Sequence, residues 1–100
     1  MNNLKYDYMI VELLYFAEFK DITSKEKEKM EIKGNLEDLL NLLFERYNSF
    51  QKLIWDEDNQ NIHNLISIII NNQAIHEKDP SKINLKDGDT IAFLLPVSGG

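Results

Sequence analysis

The residues of this sequence that are best suited to chemistry are its last three, Ser98, Gly99 and Gly100. Two consecutive glycines have no Cβ, so they form a thin segment that can enter a cavity too narrow for a branched residue. They also leave the terminal carboxylate sterically open to attack or activation. Pro96 stops the preceding strand pattern because it has no backbone N–H. We therefore expect a flexible C-terminal tail over residues 96–100, with the Gly100 carboxylate as its reactive group.

Other residue types that support catalysis are missing or poorly placed. The chain has no cysteine, which excludes thiolate nucleophiles, zinc–cysteine sites and cysteine-bound iron–sulfur clusters. We interpret His63 and His76, which lie in polar segments, as surface residues, with a metal site of histidine and carboxylate ligands as the alternative, so no metal site is expected. No serine lies in a nucleophile elbow, and the glycines are too few for a phosphate-binding loop. An enzyme that acts on its own is the weakest interpretation.

Length and composition narrow the class of protein further. A chain of 100 residues, 43% hydrophobic and 28% charged, is typical of a globular domain. Its net charge of −6 lacks the basic footprint that nucleic acid or an anionic membrane requires, so we expect neither partner. The apolar stretch Met9–Ala17 is too short to span a membrane, and the cytoplasm is the expected location. We expect one domain over residues 1–100, with residues 1–8 as a polar N-terminal extension.

The segment that must position the tail is the apolar run Thr90–Leu95, which predicts a last strand. It follows a turn over Leu85–Asp89, which has Asp-Gly at its centre. Side chains on a strand alternate between its two faces. The alternation groups Ile91, Phe93 and Leu95 on one face and Ala92 and Leu94 on the other.

An amphipathic helix is the most secure element of the chain. Asn35 is a good N-cap, and Asp38, three residues later, gives an arrangement close to a capping box. Acidic residues in the first turn and Arg46 in the last turn both suit the helix dipole. The apolar residues follow one helical stripe; they are Leu36, Leu39, Leu40, Leu43, Phe44 and Tyr47.

Two segments near the N-terminus predict a pair of strands. Met9–Phe16 is almost continuously apolar, so we expect both of its faces to be covered. Met30–Lys33 alternates, with its two apolar residues inward. The charged segment between them, Glu18–Lys29, predicts a solvated loop, with a short helix as the alternative.

The middle of the chain predicts short strands separated by polar turns. Lys52–Trp55 is a candidate short strand, and Asp56–Asn61 is a polar turn. Leu65–Ile70 has the β-branched density of a buried strand, which could begin as early as Ile62. Ala74–Ile75 would return as the second arm of a hairpin.

The order of these elements favours an α+β domain with a mixed four- to five-stranded sheet packed on one main helix. An N-terminal strand pair, a helix and a returning C-terminal strand are typical of the β-grasp, or ubiquitin-like, order. The aromatic residues of the middle segment, Phe44, Tyr47, Phe50 and Trp55, are interpreted as core rather than as a binding groove.

The ending IAFLLPVSGG, residues 91–100, resembles the tail Ala-Phe-x-x-Pro-Val-(Thr/Ser)-Gly-Gly of the MoaD-type sulfur carriers. These are the small subunits of molybdopterin synthase, in the MoaD/ThiS superfamily. LKDGD at 85–89 is similar to that family's Leu-x-Asp-Gly-Asp turn, and IIINNQ at 68–73 to its preceding strand and turn. The resemblance covers about residues 9–100. The chain departs from compact members in its N-terminal extension, in the stretch Ser49–His63, and in having Leu94-Leu95 where the family often has a second proline or an aromatic residue.

The resemblance implies sulfur transfer without a catalytic site on this chain. An adenylating enzyme of MoeB or ubiquitin-activating type would adenylate the Gly100 carboxylate with ATP, and a sulfur donor would convert it to a thiocarboxylate. Val97–Gly100 would then enter a pocket of the MoaE-type large subunit. There, two carriers would supply the two dithiolene sulfurs to cyclic pyranopterin monophosphate. No cofactor would be bound by the chain itself.

The resemblance also assigns partner-facing residues. Phe93 would lie in the core and Leu94 would face the partner, although the competing assignment places Leu94 in the core. Gly99 would provide clearance, while Pro96 and Val97 would set the direction of exit. The implied partner-binding set is Leu94, Pro96, Val97, Ser98 and Gly99.

Three other functions remain as alternatives. The same Gly-Gly tail could serve a sulfur carrier for thiamin or for tRNA thiolation. It could also serve a ubiquitin-like modifier, in which Gly100 forms an isopeptide bond with lysines of target proteins. A plain interaction domain, in which the terminal glycines are incidental, is the alternative from a different class.

Overall fold

The computed structural model describes residues 8–96 of the chain, which form both strands and helices. The strands of residues 8–96 are β1 (Tyr8–Leu14), β2 (Lys27–Lys33), β3 (Trp55–Asp56), β4 (Asn61–Ile62), β5 (Ser67–Ile70), β6 (Gln73–Ile75) and β7 (Thr90–Leu94). The α-helices of the same range are α1 (Ala17–Thr23), α2 (Leu36–Arg46) and α3 (Asn48–Ile54), and a short 3-10 helix spans Pro80–Lys82.

Five of the strands form one mixed sheet in the order β2-β1-β7-β5-β6. β1 and β7 are parallel neighbours at its centre, and the other pairs are antiparallel. β3 and β4 form a separate two-stranded sheet. This arrangement confirms the predicted α+β fold with β-grasp order and a five-stranded sheet.

The hydrophobic core lies between this sheet and α2. Alternate residues of the central strands point into it: Val11 and Leu13 from β1, Ile91 and Phe93 from β7, and Ile68 and Ile70 from β5. Four leucines of the predicted helical stripe meet them from α2: Leu36, Leu39, Leu40 and Leu43. Each such side chain contributes about 1.5–3 kcal/mol to folding through its removal from water.

The start of α2 matches the predicted cap in detail. The Asn35 side chain accepts a hydrogen bond from the backbone N–H of Asp38, and the Asp38 carboxylate accepts one from the backbone N–H of Asn35. Gly34 precedes this box with φ +117°. A Cβ at Gly34 would lie 1.8 Å from Oδ2 of Asp38, so only glycine fits there. Arg46 ends the helix, one residue before the predicted Tyr47.

The prediction of a loop over Glu18–Lys29 was wrong, and the alternative of a short helix was right. α1 occupies Ala17–Thr23, and β2 begins at Lys27 rather than at Met30. Phe19 is the reason, because its ring is buried and packs edge-on against Phe50 at a centroid distance of 5.0 Å. Because Phe19 stands among charged residues, the charge pattern of this segment did not indicate that its ring is buried.

Two expectations for the middle of the chain also fail. Lys52–Trp55 is not a strand, because α3 runs from Asn48 to Ile54 and buries Phe50 and Ile54, which are four residues apart. The strand expected over Leu65–Ile70 begins only at Ser67, and Leu65 is 70% exposed. The predicted turn over Asp56–Asn61 is present as the connection between β3 and β4.

None of the helices within residues 8–96 is long and apolar enough to cross a membrane.

Candidate functional site

The strand that leads to the C-terminal tail, β7, lies at the centre of the sheet. Its first half is held on both sides, because Thr90–Ala92 pair with Glu12–Leu14 and Ile91–Leu94 pair with Ser67–Ile70. The pairing with β1 ends at Ala92, whereas the pairing with β5 continues to Leu94. The last residues of β7 therefore have a strand neighbour on one side only.

The Asp-Gly turn before β7 ties the base of that strand to β1. The Asp87 carboxylate accepts a hydrogen bond of 2.8 Å from the backbone N–H of Ile10. Gly88, with φ +90°, donates its N–H to the Ile10 carbonyl at 2.8 Å, and Glu12 donates its N–H to the Asp89 carbonyl. Gly88 supplies a backbone conformation that other residues rarely adopt. The turn over residues 85–89, which resembles the family's Leu-x-Asp-Gly-Asp motif, therefore holds the start of β7 against β1.

A second set of bonds ties the base of β7 to the turn between β5 and β6. Asp89 is only 9% exposed, and its carboxylate accepts hydrogen bonds from the Lys86 N–H and from the Asn71 side-chain amide, each at 2.8 Å. The Asn71 side-chain oxygen in turn accepts the N–H of Thr90 at 2.9 Å. Asn71 has φ +53°, which asparagine tolerates better than most residues. We call these two sets of bonds the β7 clamp.

The faces of β7 follow the predicted alternation. Ile91 and Phe93 are buried in the core, and Leu95 packs partly against it. The expectation that Phe93 is a core residue is confirmed, and the competing assignment of Leu94 to the core is wrong. Leu94 is half-buried on the opposite face, where it lies across from Ser67.

That opposite face of the sheet, away from α2, carries several apolar residues, with Glu12 and Thr90 between Ile10 and Leu14. Ile10 is 52% exposed there, and Leu14 and Ile69 are half-buried in register with Ala92. We call this surface, defined by Ile10, Leu14, Ile69, Ala92 and Leu94, the outer sheet face. Nothing within residues 8–96 covers Ile10, so the expectation that both faces of the first strand are covered fails for the described residues.

Lysines border the outer sheet face on the β2 side. Lys27, Lys29 and Lys33 are exposed and pair in register with Leu14, Glu12 and Tyr8, while the exposed Glu31 between them pairs with Ile10. Phe16, two residues after the end of β1, is 49% exposed beyond the same end of the sheet as Leu14. An apolar surface with a cationic border suits a partner whose interface is apolar at its centre and acidic at its rim.

A groove lies beside the point where the described chain ends. It has a volume of about 210 Å³, and the exposed Leu65 forms one wall. The ring of His63 lies in the same groove, with Nδ1 4.0 Å from Oδ2 of Asp56. The lining residues are Leu53, His63, Leu65, Ile66, Leu95 and Pro96. Leu95 and Pro96 thus leave the sheet between the groove and the outer sheet face.

Only part of the predicted site falls within the described residues. Leu94 is half-buried and Pro96 is exposed, so both are accessible at the end of β7. Val97, Ser98, Gly99 and Gly100 lie outside the described residues. Within residues 8–96, no group of three or more acidic or histidine side chains is placed to hold a metal ion.

Sequence reasoning missed two exposed apolar residues, Leu65 beside Leu95 and Pro96, and Ile10 at the base of β7. Ile10 and Leu65 were assigned to buried strands. The alternation in YMIVELL contained a signal for Ile10, because Ile10 is out of phase with the core residues Val11 and Leu13. No comparable signal marks Leu65, since the apolar pattern includes it in the predicted strand although the observed β5 begins only at Ser67.

The strongest electrostatic cluster of the described residues holds the end of β1 rather than the tail. Burial alone would raise the pKa of Glu28, but hydrogen bonds from Lys25, Tyr47 and Tyr15 outweigh it and lower the pKa to about 2. Arg46 adds an ion pair at 3.1 Å. Burial raises the pKa of Tyr15, whose hydroxyl donates to the Glu28 carboxylate. Since Glu28 pairs with Leu13 across β1, the cluster fixes the end of β1 that lies beside Ala92.

Comparison with known proteins gives one family match and several structural matches. The model of the ThiS family matches residues 13–100. The small archaeal modifier protein 1 of Methanosarcina acetivorans is 25% identical, over 93% of this chain and 98% of that chain, with a TM-score of 0.73. A Pyrococcus furiosus protein described as molybdopterin converting factor, subunit 1, is also 25% identical, over 89% and 99% of the two chains, with a TM-score of 0.62. The HVO 2177 protein of Haloferax volcanii shares the fold at 20% identity, over 100% and 94%, with a TM-score of 0.80.

Proposed function

Because this chain belongs to the ThiS family of ubiquitin-like sulfur carriers, we propose that it is the sulfur-donating small subunit of molybdopterin synthase. In this role the Gly100 carboxylate is converted to a thiocarboxylate, which gives its sulfur to cyclic pyranopterin monophosphate. The groups that catalyse each step belong to partner proteins. The carrier's own task is to hold and present its C-terminal residues.

The observation that carries the proposal is the contrast between a fixed strand and an accessible exit. The β7 clamp and the pairing on both sides hold the first half of β7. Leu94 and Pro96 then carry the chain to the surface, beside the apolar outer sheet face. Four further residues follow in the sequence, and four residues span at most about 14 Å when fully extended. A partner that docks on the outer sheet face can therefore receive the terminal carboxylate inside a cavity of its own.

The chemistry needs two steps, both at the Gly100 carboxylate. In the first, a carboxylate oxygen attacks the α-phosphorus of ATP on an activating enzyme of MoeB type, and pyrophosphate leaves. In the second, sulfide from a sulfur donor attacks the acyl carbon, and AMP leaves with the bonding electron pair. The product is a thiocarboxylate. This route explains how a chain without cysteine carries sulfur.

The outer sheet face is the proposed contact with the partners. Leu14, Ile69 and Leu94 offer apolar surface at its exit end, Ile10 lies at its other end, and the lysines of β2 border it. Such a surface suits both the activating enzyme and a MoaE-type large subunit, provided that each has an apolar centre with acidic groups around it. The two partners would then bind one after the other, because they need the same face.

The experiment that tests the first half of the proposal is intact-mass measurement. The full chain is incubated with ATP, sulfide and an activating enzyme of MoeB type. The expected result is a mass gain equal to the difference between sulfur and oxygen, located at the C-terminus. A chain that lacks only Gly100 is the control and should show no gain. A full-length chain that gains no mass with an enzyme that activates other carriers would contradict the proposal.

A ubiquitin-like modifier is the second candidate function. The similarity to the small archaeal modifier protein 1 of Methanosarcina acetivorans supports it. Here the ε-amine of a lysine on a target protein attacks the carbonyl of the Gly100 adenylate, AMP leaves with the bonding electron pair, the amine loses a proton, and an isopeptide bond forms. Conjugates that carry this chain on other proteins, and that vanish when Gly100 is deleted, would favour this candidate over sulfur donation to a pterin.

A further inference from the structure

A second concave surface lies in the helical layer, on the side of the sheet away from the outer sheet face. It encloses about 180 Å³, and aromatic residues contribute two of its walls. The residues that line it are Glu37, Leu40, Asn41, Phe44, Gln51, Trp55 and Pro80. We call it the Trp55 pocket. Its position leaves the outer sheet face free for other partners.

The pocket is built by elements that fix its walls. Its α2 residues lie at positions 37, 40, 41 and 44, a spacing that places them on one face of the helix. Gln51 comes from α3, and Trp55 follows that helix directly. The backbone of Trp55 pairs with Ile62 across the β3–β4 sheet, and Pro80 begins the 3-10 helix. The pocket is therefore a preformed feature of three packed elements.

Several polar groups in the Trp55 pocket have no partner among residues 8–96. The Glu37 carboxylate, the Asn41 side-chain amide and the Trp55 indole N–H form no hydrogen bond or ion pair with the described residues. Gln51 makes only a long contact, in which its amide donates to the Glu57 carboxylate at 3.4 Å. The half-exposed aromatic faces and these groups together offer one negative charge, one N–H donor and two ring surfaces.

We propose that the Trp55 pocket binds an arginine side chain of an extended partner peptide. A guanidinium is attracted to the faces of Trp55 and Phe44, and it donates hydrogen bonds to the Glu37 carboxylate. The Trp55 N–H donates to a carbonyl of the peptide backbone. The net charge of −6 attracts a basic segment from a distance. This binding does not depend on the proposed sulfur chemistry.

A neighbouring hollow gives the peptide backbone a path. It lies on the other side of Trp55 and is lined by Asn48, Gln51, Lys52, Trp55 and Glu57. Lys52 and Glu57 balance each other in charge there, so the preference for a cation belongs to the Glu37 side. Trp55 therefore stands between a cation-selective pocket and a neutral polar hollow.

Trp55 is the only tryptophan of the chain, so its fluorescence reports directly on the pocket. The probe is a capped pentapeptide with one central arginine between glycines, and its control is the same peptide with neutral citrulline. We expect a saturable fluorescence change with the arginine peptide and binding at least fivefold weaker with citrulline. Equal binding of the two peptides, or no saturable change with arginine, would overturn the proposal.

A matched pair of variants tests whether Glu37 provides the charge. Glu37→Gln and Glu45→Gln each remove one exposed carboxylate from α2, but only Glu37 lines the pocket. Glu37→Gln should weaken binding of the arginine peptide about threefold, whereas Glu45→Gln should leave it within experimental error. Equal losses in the two variants would mean that overall charge, and not the pocket, attracts the peptide, and would overturn the proposal.

Nuclear magnetic resonance places the peptide independently of fluorescence. The side-chain amide signals of Asn41 and Gln51 should shift on addition of the arginine peptide, because both line the pocket. The amide signal of Asn84, which is exposed and does not line the pocket, is the control and should stay in place. A shift confined to signals outside the pocket would contradict the assignment.

Discussion

The two ends of β7 are held in opposite ways. At the base, the buried Asp89 carboxylate and the Asn71 amide form hydrogen bonds that join three parts of the chain. At the exit, Leu94 has a strand neighbour on one side only, and apolar side chains lie exposed around it. Polar bonds have defined directions and fix a position, whereas an exposed apolar surface gains free energy when a partner covers it. The comparison indicates that the base of β7 fixes the position of the strand, whereas its exit end offers a surface on which a partner can dock.

The largest expected effect separates two adjacent residues of the exit end. Phe93→Ala removes a buried ring and leaves a cavity, so it should lower the free energy of unfolding by about 3–5 kcal/mol. Leu94→Ala removes a half-buried side chain from the outer sheet face and should lower it by about 1 kcal/mol or less. Urea unfolding of both variants measures this difference. Similar losses would contradict the assignment of Leu94 to the docking face.

The Leu94→Ala variant also tests the docking side of the comparison. Because we expect it to remain folded, its affinity for the proposed MoaE-type large subunit can be measured directly by titration calorimetry. We expect a clear loss of affinity, since the outer sheet face loses apolar contact area at the exit. Unchanged affinity would show that partners dock elsewhere.

The base of β7 should respond to the loss of a single carboxylate. Asp89→Ala leaves the Lys86 N–H and the Asn71 amide without their acceptor, so it should lower the free energy of unfolding by about 2–3 kcal/mol. Asp87→Ala, at an exposed position, removes one bond to Ile10 and should lower it by about 1 kcal/mol. Chemical denaturation of the two variants under the same conditions measures the difference between their free energies of unfolding. An Asp89 variant as stable as the Asp87 variant would show that the clamp does not hold the strand.

The loss of folding stability at low pH should depend on Glu28, which fixes the end of β1 that lies beside the exit of the chain. Its pKa is about 2 in the folded protein, below the ordinary value of 4.5, so the folded state favours the charged form. The resulting stability is fully present above about pH 5 and is lost as the pH falls toward 2. We expect a loss of about 1–2 kcal/mol, after allowance for solvent screening.

The measurement is thermal unfolding of the native chain and of Glu28→Gln between pH 7 and pH 3. The native chain should lose more stability than Glu28→Gln over this range, because only the native chain protonates residue 28. Glu31→Gln, an exposed change on the same strand, serves as the control and should behave like the native chain. Parallel curves for the native chain and Glu28→Gln would refute this role.

The smallest expected effect separates two adjacent asparagines in the turn beside the clamp. Asn71 and Asn72 both have positive φ, at +53° and +67°, so glycine fits the backbone at either position. Asn71→Gly also removes the side-chain bonds to Asp89 and Thr90, and should lower the free energy of unfolding by about 1–2 kcal/mol. Asn72→Gly should change it by about 0.5 kcal/mol or less. Equal effects would mean that the side chain of Asn71 contributes nothing to the clamp.

The sequence predicted the helices and strands that have a long apolar pattern or a capping or turn signal at one end. α2 combines an apolar stripe of three turns with a capping box at Asn35, and these signals agree. β7 is marked by its apolar run and by the turn before it. The family was indicated by residues 91–100, and the match over residues 13–100 bears this out.

The rest could not be predicted, because it depends on contacts between distant parts of the chain. α1 and α3 have seven residues each, too few for a helical period to be distinguished from a strand or loop. Phe19 and Phe50 anchor these helices through contacts between distant parts of the chain, with each other and, for Phe50, with Tyr15. The Trp55 pocket forms where α2, α3 and the 3-10 helix meet, and no local pattern marks that junction.

The measurement that tests the central claim most directly is the fate of the sulfur on Gly100. The thiocarboxylated chain is mixed with a MoaE-type large subunit and cyclic pyranopterin monophosphate, and its intact mass is followed with time. We predict that the mass returns to that of the carboxylate only when both are present, while a dithiolene product forms. A thiocarboxylate that persists in the complete mixture, under conditions where a known carrier is consumed, would contradict the account.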